Sequence, residues 1–191
     1  VKEIGMIAYI DMDDVLVDFT GGFLELLGWT PQRYLKSVKR EVWPLYETTG
    51  QTADEFWAMI RSGGERFWET LLPTEHCYQV ITLVQQYFDE WYLLTTPGIG
   101  HDGFRCLDSY TGKLKWIRNQ FGIKFDNYVL TPHKHLVAHN SLLIDDNPEN
   151  VTSFRRNGGA AIVFPLIRNL YADKANQPVS YLRTQLRVLL N

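Results

Sequence analysis

The run Ile10-Asp11-Met12-Asp13-Asp14-Val15-Leu16 places three carboxylates within four residues, directly after an apolar stretch from Ile4 to Ile10. Carboxylates crowded at one strand end repel one another, and a hard divalent cation is the usual relief. A second acid pair stands far downstream in Leu142-Leu143-Ile144-Asp145-Asp146-Asn147-Pro148, again after a short apolar run. Either cluster alone suits a solvated turn or a helix cap. Two clusters of the same sign, each at a strand's carboxyl end, point instead to one shared metal site, because an open parallel sheet gathers its reactive groups in that crevice. The strand Tyr92-Leu93-Leu94 exits through Thr95-Thr96-Pro97, which offers hydroxyls and backbone N–H groups to an anion. Lys134 follows another strand and Lys113 opens an expected helix, each near a carboxyl strand edge or helix start where the acids require a balancing cation.

These residues need a sheet to hold them. Apolar, β-branched and aromatic runs predict core strands at Ile4 to Ile10, Trp91 to Thr95, Asn127 to Leu130, Leu142 to Asp145 and Ala160 to Phe164. Helical patterns lie between them at Glu75 to Phe88, Gly112 to Phe121 and Pro148 to Asn157, and a tail helix at Val179 to Leu190. Alternation of strand and helix predicts an α/β fold, a Rossmann-like parallel sheet covered by helices on both faces. Residues 19–73 break the alternation: they are rich in aromatic residues, lack a clear strand, and show helical spacing in Pro31 to Val38 and Thr52 to Arg61. We read them as a small helical cap inserted after the first strand, leaving residues 1–18 and 74–191 as the core domain.

Composition excludes several function classes. The 191 residues carry 19 basic and 22 acidic side chains for a net charge of −3, which leaves no electrostatic footprint for a nucleic-acid polymer. Cys77 and Cys106 fit neither a redox nor a zinc spacing and read as reduced thiols. No apolar run approaches a membrane span, and the first residues read as a strand rather than a signal peptide, so a cytoplasmic protein with a small-molecule partner is expected. The oligomeric state stays open, a homodimer included.

The motifs resemble the haloacid-dehalogenase-like phosphohydrolases, whose first motif, an apolar strand followed by Asp-x-Asp-x-Val or Thr, is matched by Asp11, Asp13 and Val15. The finer resemblance is to the 5'(3')-deoxyribonucleotidases. It is carried by Asp11 through Phe19, Gly21-Gly22-Phe23-Leu24, Phe67 through Pro73, Thr95-Thr96-Pro97, Lys113 with Trp116, Phe121-Gly122, and Leu142 through Asp146. By that resemblance Asp11 is the nucleophile, and Asp13 is the acid that protonates the leaving oxygen and then activates water. Asp11, the Asp13 backbone carbonyl and Asp146 would hold Mg²⁺, with Asp145 as a supporting partner or alternate ligand. Thr95 and Thr96 with Lys134 would grip the phosphate, with Lys113 as an additional candidate, and Phe19 and Trp43 would line a base pocket. Asp14 stands where that family usually has glycine. The expected activity is Mg²⁺-dependent hydrolysis of deoxyribonucleoside monophosphates. The competing readings are a phosphatase of another small phosphoester, such as a sugar phosphate, and a catalytically idle binding module, which the intact Asp11 and Asp13 argue against.

Overall fold

Strand β1 (Glu3–Ile10) is the middle of a five-stranded sheet, with β2 (Phe88–Thr95) hydrogen-bonded on one side and β4 (Ser141–Asp145) on the other. The edges are β3 (Tyr128–Leu130) and β5 (Ala160–Val163), giving the order β3-β2-β1-β4-β5 with every pairing parallel. The computed structural model describes residues 3–39, 42–98 and 106–190. The chain first builds outward from β1 to β2 and β3, then crosses back to the other side of β1. That reversal opens a crevice at the carboxyl ends of β1 and β4.

Register decides what faces that crevice. Ile10 pairs with Leu93 on one side and Ile144 on the other, so Asp11 and Asp145 emerge at one level, with the Thr95-Thr96 exit just beyond it. The two-residue period of the strands sends Ala8, Ile10, Leu93, Leu142 and Ile144 into one hydrophobic cluster and Tyr9, Leu94 and Leu143 into a second. Helices α6 (Cys77–Tyr87), α7 (Leu107–Phe121) and α9 (Pro178–Leu189) contribute Val84, Trp116 and Leu186 to the first cluster. Helix α8 (Pro148–Arg156) covers the opposite face with Val151 and Phe154. Pro148 and the Asn147 side chain, which accepts from the Glu149 N–H, start α8 directly behind the second acid pair.

The segment expected as a cap folds into α1 (Phe19–Leu26), α2 (Pro31–Ser37), α3 (Leu45–Thr49), α4 (Ala53–Ser62) and α5 (Gly64–Thr70). Thr52 and Glu55 close a capping box at the start of α4. The aromatic residues of these helices do not form a separate core. Phe56, Phe67 and Trp68 belong to the same buried cluster as Ile10 and Leu93. Helix α5 lies close against α7 at Gly112, where an added Cβ would sit 2.4 Å from the Glu65 carbonyl oxygen. Helix α7 begins at Leu107, not at the expected Gly112, so Lys113 lies about 1.7 turns inside a helix rather than at its start. Its first turn carries no inward apolar stripe. The buried Ser109 hydroxyl there accepts from the Gly98 N–H, a tertiary contact that periodicity cannot register.

Candidate active site

The loop leaving β1 is fastened at once. The Asp11 N–H donates to the Ile144 carbonyl at 2.9 Å, tying the first acid of the motif to β4. The Met12 carbonyl then accepts from the N–H groups of Val15, Leu16 and Val17, which curls the chain back on itself. Within that curl Asp14 adopts φ 57°, a left-handed conformation that aspartate tolerates better than most side chains.

Asp11 is 6% exposed, and its Oδ1 accepts from the Met12 N–H at 2.8 Å and lies 2.6 Å from Lys134 Nζ. Lys134 opens a short 3₁₀ turn in the β3–β4 connection and also reaches Asp145 Oδ2 at 2.6 Å. The other Asp145 oxygen accepts from the Asn147 N–H and the Asn150 amide, so this carboxylate is saturated by protein donors. Asp146 offers Oδ2 to Arg168 Nη2 at a looser 3.3 Å. Carboxylate oxygens of Asp11, Asp145 and Asp146 all lie within 4.8 Å of one another.

Asp13 is held differently. Its Oδ2 lies 2.5 Å from Lys113 Nζ, which spends its remaining donors on the Thr95 hydroxyl and the Thr96 carbonyl, both at 2.8 Å. Its Oδ1 is buried without a hydrogen-bond partner. The two lysines, which the sequence leaves interchangeable, are thereby separated: Lys134 serves Asp11 and Asp145, and Lys113 serves Asp13. Thr95 and Lys113 are buried behind the wall of the site, whereas Thr96 and Lys134 line it. Of the two threonines expected near a phosphate, the Thr95 hydroxyl accepts from Lys113, and the Thr96 hydroxyl donates to the Thr131 carbonyl at 3.2 Å.

Above these groups opens a cleft of about 540 Å³, with Asp11, Asp13, Lys134 and Asp146 on one side and the rings of Phe19, Trp43, Trp57 and Trp68 on the other. Phe19 and Trp43 thus both reach the cleft, but in different ways. Phe19 is 9% exposed, stacks on Trp68 with ring centres 5.6 Å apart, and meets Phe56 and Phe67 edge-on. Trp43 is half-buried, with the Arg168 guanidinium 4.7 Å from its ring centre. Trp57 is half-buried and lines the cleft as well. Arg168 was not foreseen: it sits after β5 in a stretch with no periodicity and no motif.

Electrostatics favour a cation among the acids. Burial raises the Asp11 carboxyl to about 7 against the pull of Lys134, with Asp145 and Asp13 adding to the rise. Burial likewise pushes Asp146 well above the carboxylate range although Arg168 opposes it. Burial works against the Lys134 charge, but Asp11 and Asp145 outweigh it and keep the ammonium ionised. Buried acids in this state gain most from a dication, and an all-oxygen donor set suits a hard one.

The family described as 5' nucleotidase, deoxy (pyrimidine), cytosolic type C protein matches residues 5–183. The chain belongs to that family. It is a phosphohydrolase with the haloacid-dehalogenase-like fold. Among solved structures, YfnB of Bacillus subtilis, assigned as a HAD-hydrolase and solved bound to magnesium, shares 15% identity at TM-score 0.52, covering 95% of this chain and 98% of that one. A haloacid dehalogenase-like hydrolase from Xanthomonas campestris shares 13% identity at TM-score 0.50 over 99% and 97% of the two chains. A Lactobacillus delbrueckii protein assigned as a phosphoglycolate phosphatase shares 11% identity at TM-score 0.53 over 94% and 97%. No curated protein matches the chain. Among the described residues no helix is long and apolar enough to cross a membrane.

Proposed function

We propose that the protein hydrolyses deoxyribonucleoside monophosphates to nucleoside and phosphate in a Mg²⁺-dependent reaction through an aspartyl-phosphate. The observation that carries this reading is the cleft itself, with a buried acid trio facing aromatic rings. The acids suit a phosphate with its metal, and the rings suit a base, whose faces stack on aromatic side chains. The family's description as a deoxy, pyrimidine nucleotidase and the magnesium bound in YfnB support the same assignment.

Asp11, Asp146 and the Asp13 backbone carbonyl would hold Mg²⁺, with Asp145 bracing them through Lys134. When bound, the ion neutralises the phosphate oxygens so that an anion can approach phosphorus. With Oδ1 of Asp11 fixed by Met12 and Lys134, Oδ2 is the attacking oxygen. It forms a bond to phosphorus as the bond to the nucleoside oxygen breaks, and Asp13 Oδ1 hands that oxygen its proton. Asp13 then takes a proton from the water that attacks phosphorus and frees Asp11. Thr96 and Lys134 hold the phosphoryl oxygens, while Lys113 and Thr95 brace Asp13 from behind.

Phosphate release measured over all ribo- and deoxyribonucleoside monophosphates, a sugar phosphate and an aryl phosphate, with and without chelator, tests the assignment. Preferential, chelator-sensitive turnover of deoxynucleotides is expected. Equal or better turnover of the sugar phosphate would move the substrate to another phosphoester class.

A further inference from the structure

Arg168 has no part in the steps above, yet this one buried cation touches four parts of the site. It is 5% exposed and comes from the segment after β5. Its Nη2 lies 2.6 Å from Asp14 Oδ2 and 3.3 Å from Asp146 Oδ2, and its Nη1 donates to the Thr20 hydroxyl at 2.9 Å. Its guanidinium faces the Trp43 ring at 4.7 Å. Asp14 is locked from the other side as well, accepting from the Thr20 N–H and hydroxyl, both at 2.7 Å. The contacts therefore run from the metal-side acid Asp146 through Arg168 to the start of α1 and to the tryptophan wall of the cleft.

We propose that Arg168 is a positioning residue that sets two properties of the site at once: the charge felt by a metal at Asp146 and the placement of Trp43 against the substrate's leaving group. This rests on the metal-dependent nucleotidase reading. Asp14 explains why the cation is needed. An aspartate beside the catalytic loop adds a buried anion where a phosphate dianion must enter, and one buried member of an ion pair without the other is strongly unfavourable. Arg168 cancels it. The two bonds are unequal, so the guanidinium is committed to Asp14 at 2.6 Å and holds Asp146 loosely at 3.3 Å, leaving that carboxylate able to turn to a dication. A planar guanidinium can pair with carboxylates along its edge while its flat face stacks on an indole, and that fixed geometry is what a point-charge ammonium lacks.

The test uses calorimetric titration of Mg²⁺ into the full chain without substrate. Arg168→Met removes a positive charge beside Asp146 and should tighten Mg²⁺ by about fivefold or more, within the usual span of coupling between sites. Asp14→Gly leaves that charge uncompensated, fits the φ 57° backbone without strain, and should weaken Mg²⁺ by a similar factor. Arg168→Lys keeps the charge but not the planar fork. It should bind Mg²⁺ within about twofold of the parent, well inside that coupling span, while losing most of its preference for a deoxynucleotide over an aryl phosphate. If Arg168→Met does not fold, Asp14→Gly and Arg168→Lys carry the test between them. Shifts of Mg²⁺ affinity in the same direction for Arg168→Met and Asp14→Gly, or an unchanged nucleotide preference in Arg168→Lys, overturn the role of Arg168. A parent chain that binds no Mg²⁺ overturns the metal-dependent reading and the Arg168 role together, a result that calorimetry distinguishes from the others.

Discussion

Two carboxylates two residues apart in the same loop are given different work by their surroundings. Asp11 is pinned through one oxygen by Met12 and Lys134, and Asp13 is pinned through one oxygen by Lys113 with the other left bare. Asp11→Asn keeps the shape and the Met12 contact but removes the attacking anion. Phosphate release should fall to background while inorganic phosphate still binds in the presence of Mg²⁺, which equilibrium dialysis can read. Asp13→Asn removes a proton donor, a loss of about 10²- to 10⁴-fold for general acid catalysis. That loss should shrink on aryl phosphates with good leaving groups, and a leaving-group series that stays parallel to the parent would count against the acid role. The strand-end acids were legible in the sequence because strand, turn and acid are contiguous. Arg168 was not, because nothing near Leu166-Ile167-Arg168-Asn169 signals that the fold returns this segment to Asp14 and Asp146. The division of labour between Lys113 and Lys134 was equally hidden, since it follows from which strand lies beside β1 on each side.

Among the elements, the α5–α7 contact has the narrowest tolerance. Lys113 reaches Asp13 only because α7 runs close beneath the catalytic loop, and Gly112, immediately before it, lets the α5 backbone approach. A methyl group there would lie 2.4 Å from the Glu65 carbonyl oxygen and 2.6 Å from the Trp68 Cβ, so one of the helices must move. Gly112→Ala should therefore destabilise the fold although alanine favours helix, by about 1–3 kcal/mol as overpacking usually costs. Thermal melts would show a drop of roughly 2–4 °C per kcal/mol in a chain of this size. Because the shifted α7 carries Lys113, the rate should fall with Mg²⁺ affinity unchanged. A melting temperature at or above that of the parent would mean the two helices separate freely. The sequence located α7 but not its first turn, and the reason is visible here: Ser109 and Gly112 are chosen for tertiary contacts with Gly98 and Glu65, which leave no periodic trace.

Across the molecule, the segment inserted after β1 shares its hydrophobic cluster with the sheet, and two buried cations reach up to its tryptophans: Lys113 lies 4.9 Å from the Trp68 ring centre and Arg168 lies 4.7 Å from that of Trp43. Aromatic content alone could not say which rings hold this segment together and which face the cleft. The packing now separates them. Phe19 lines the cleft but is stacked on Trp68 and wedged against Phe56 and Phe67, so we expect it to act as a structural ring, and Phe19→Ala should cost about 3–5 kcal/mol of stability. Its activity should fall on every substrate alike. Trp43 is half-buried, lines the cleft and has the Arg168 guanidinium over its ring. Trp43→Ala should leave the melting temperature nearly unchanged and reduce kcat/KM on deoxynucleotides by about tenfold or more, given roughly 1–3 kcal/mol per stacked base. Turnover of an aryl phosphate without a base should barely change. Equal losses on both substrates would make Trp43 a structural ring like Phe19, and the base would then have to be read by Trp57, which lines the same cleft from α4.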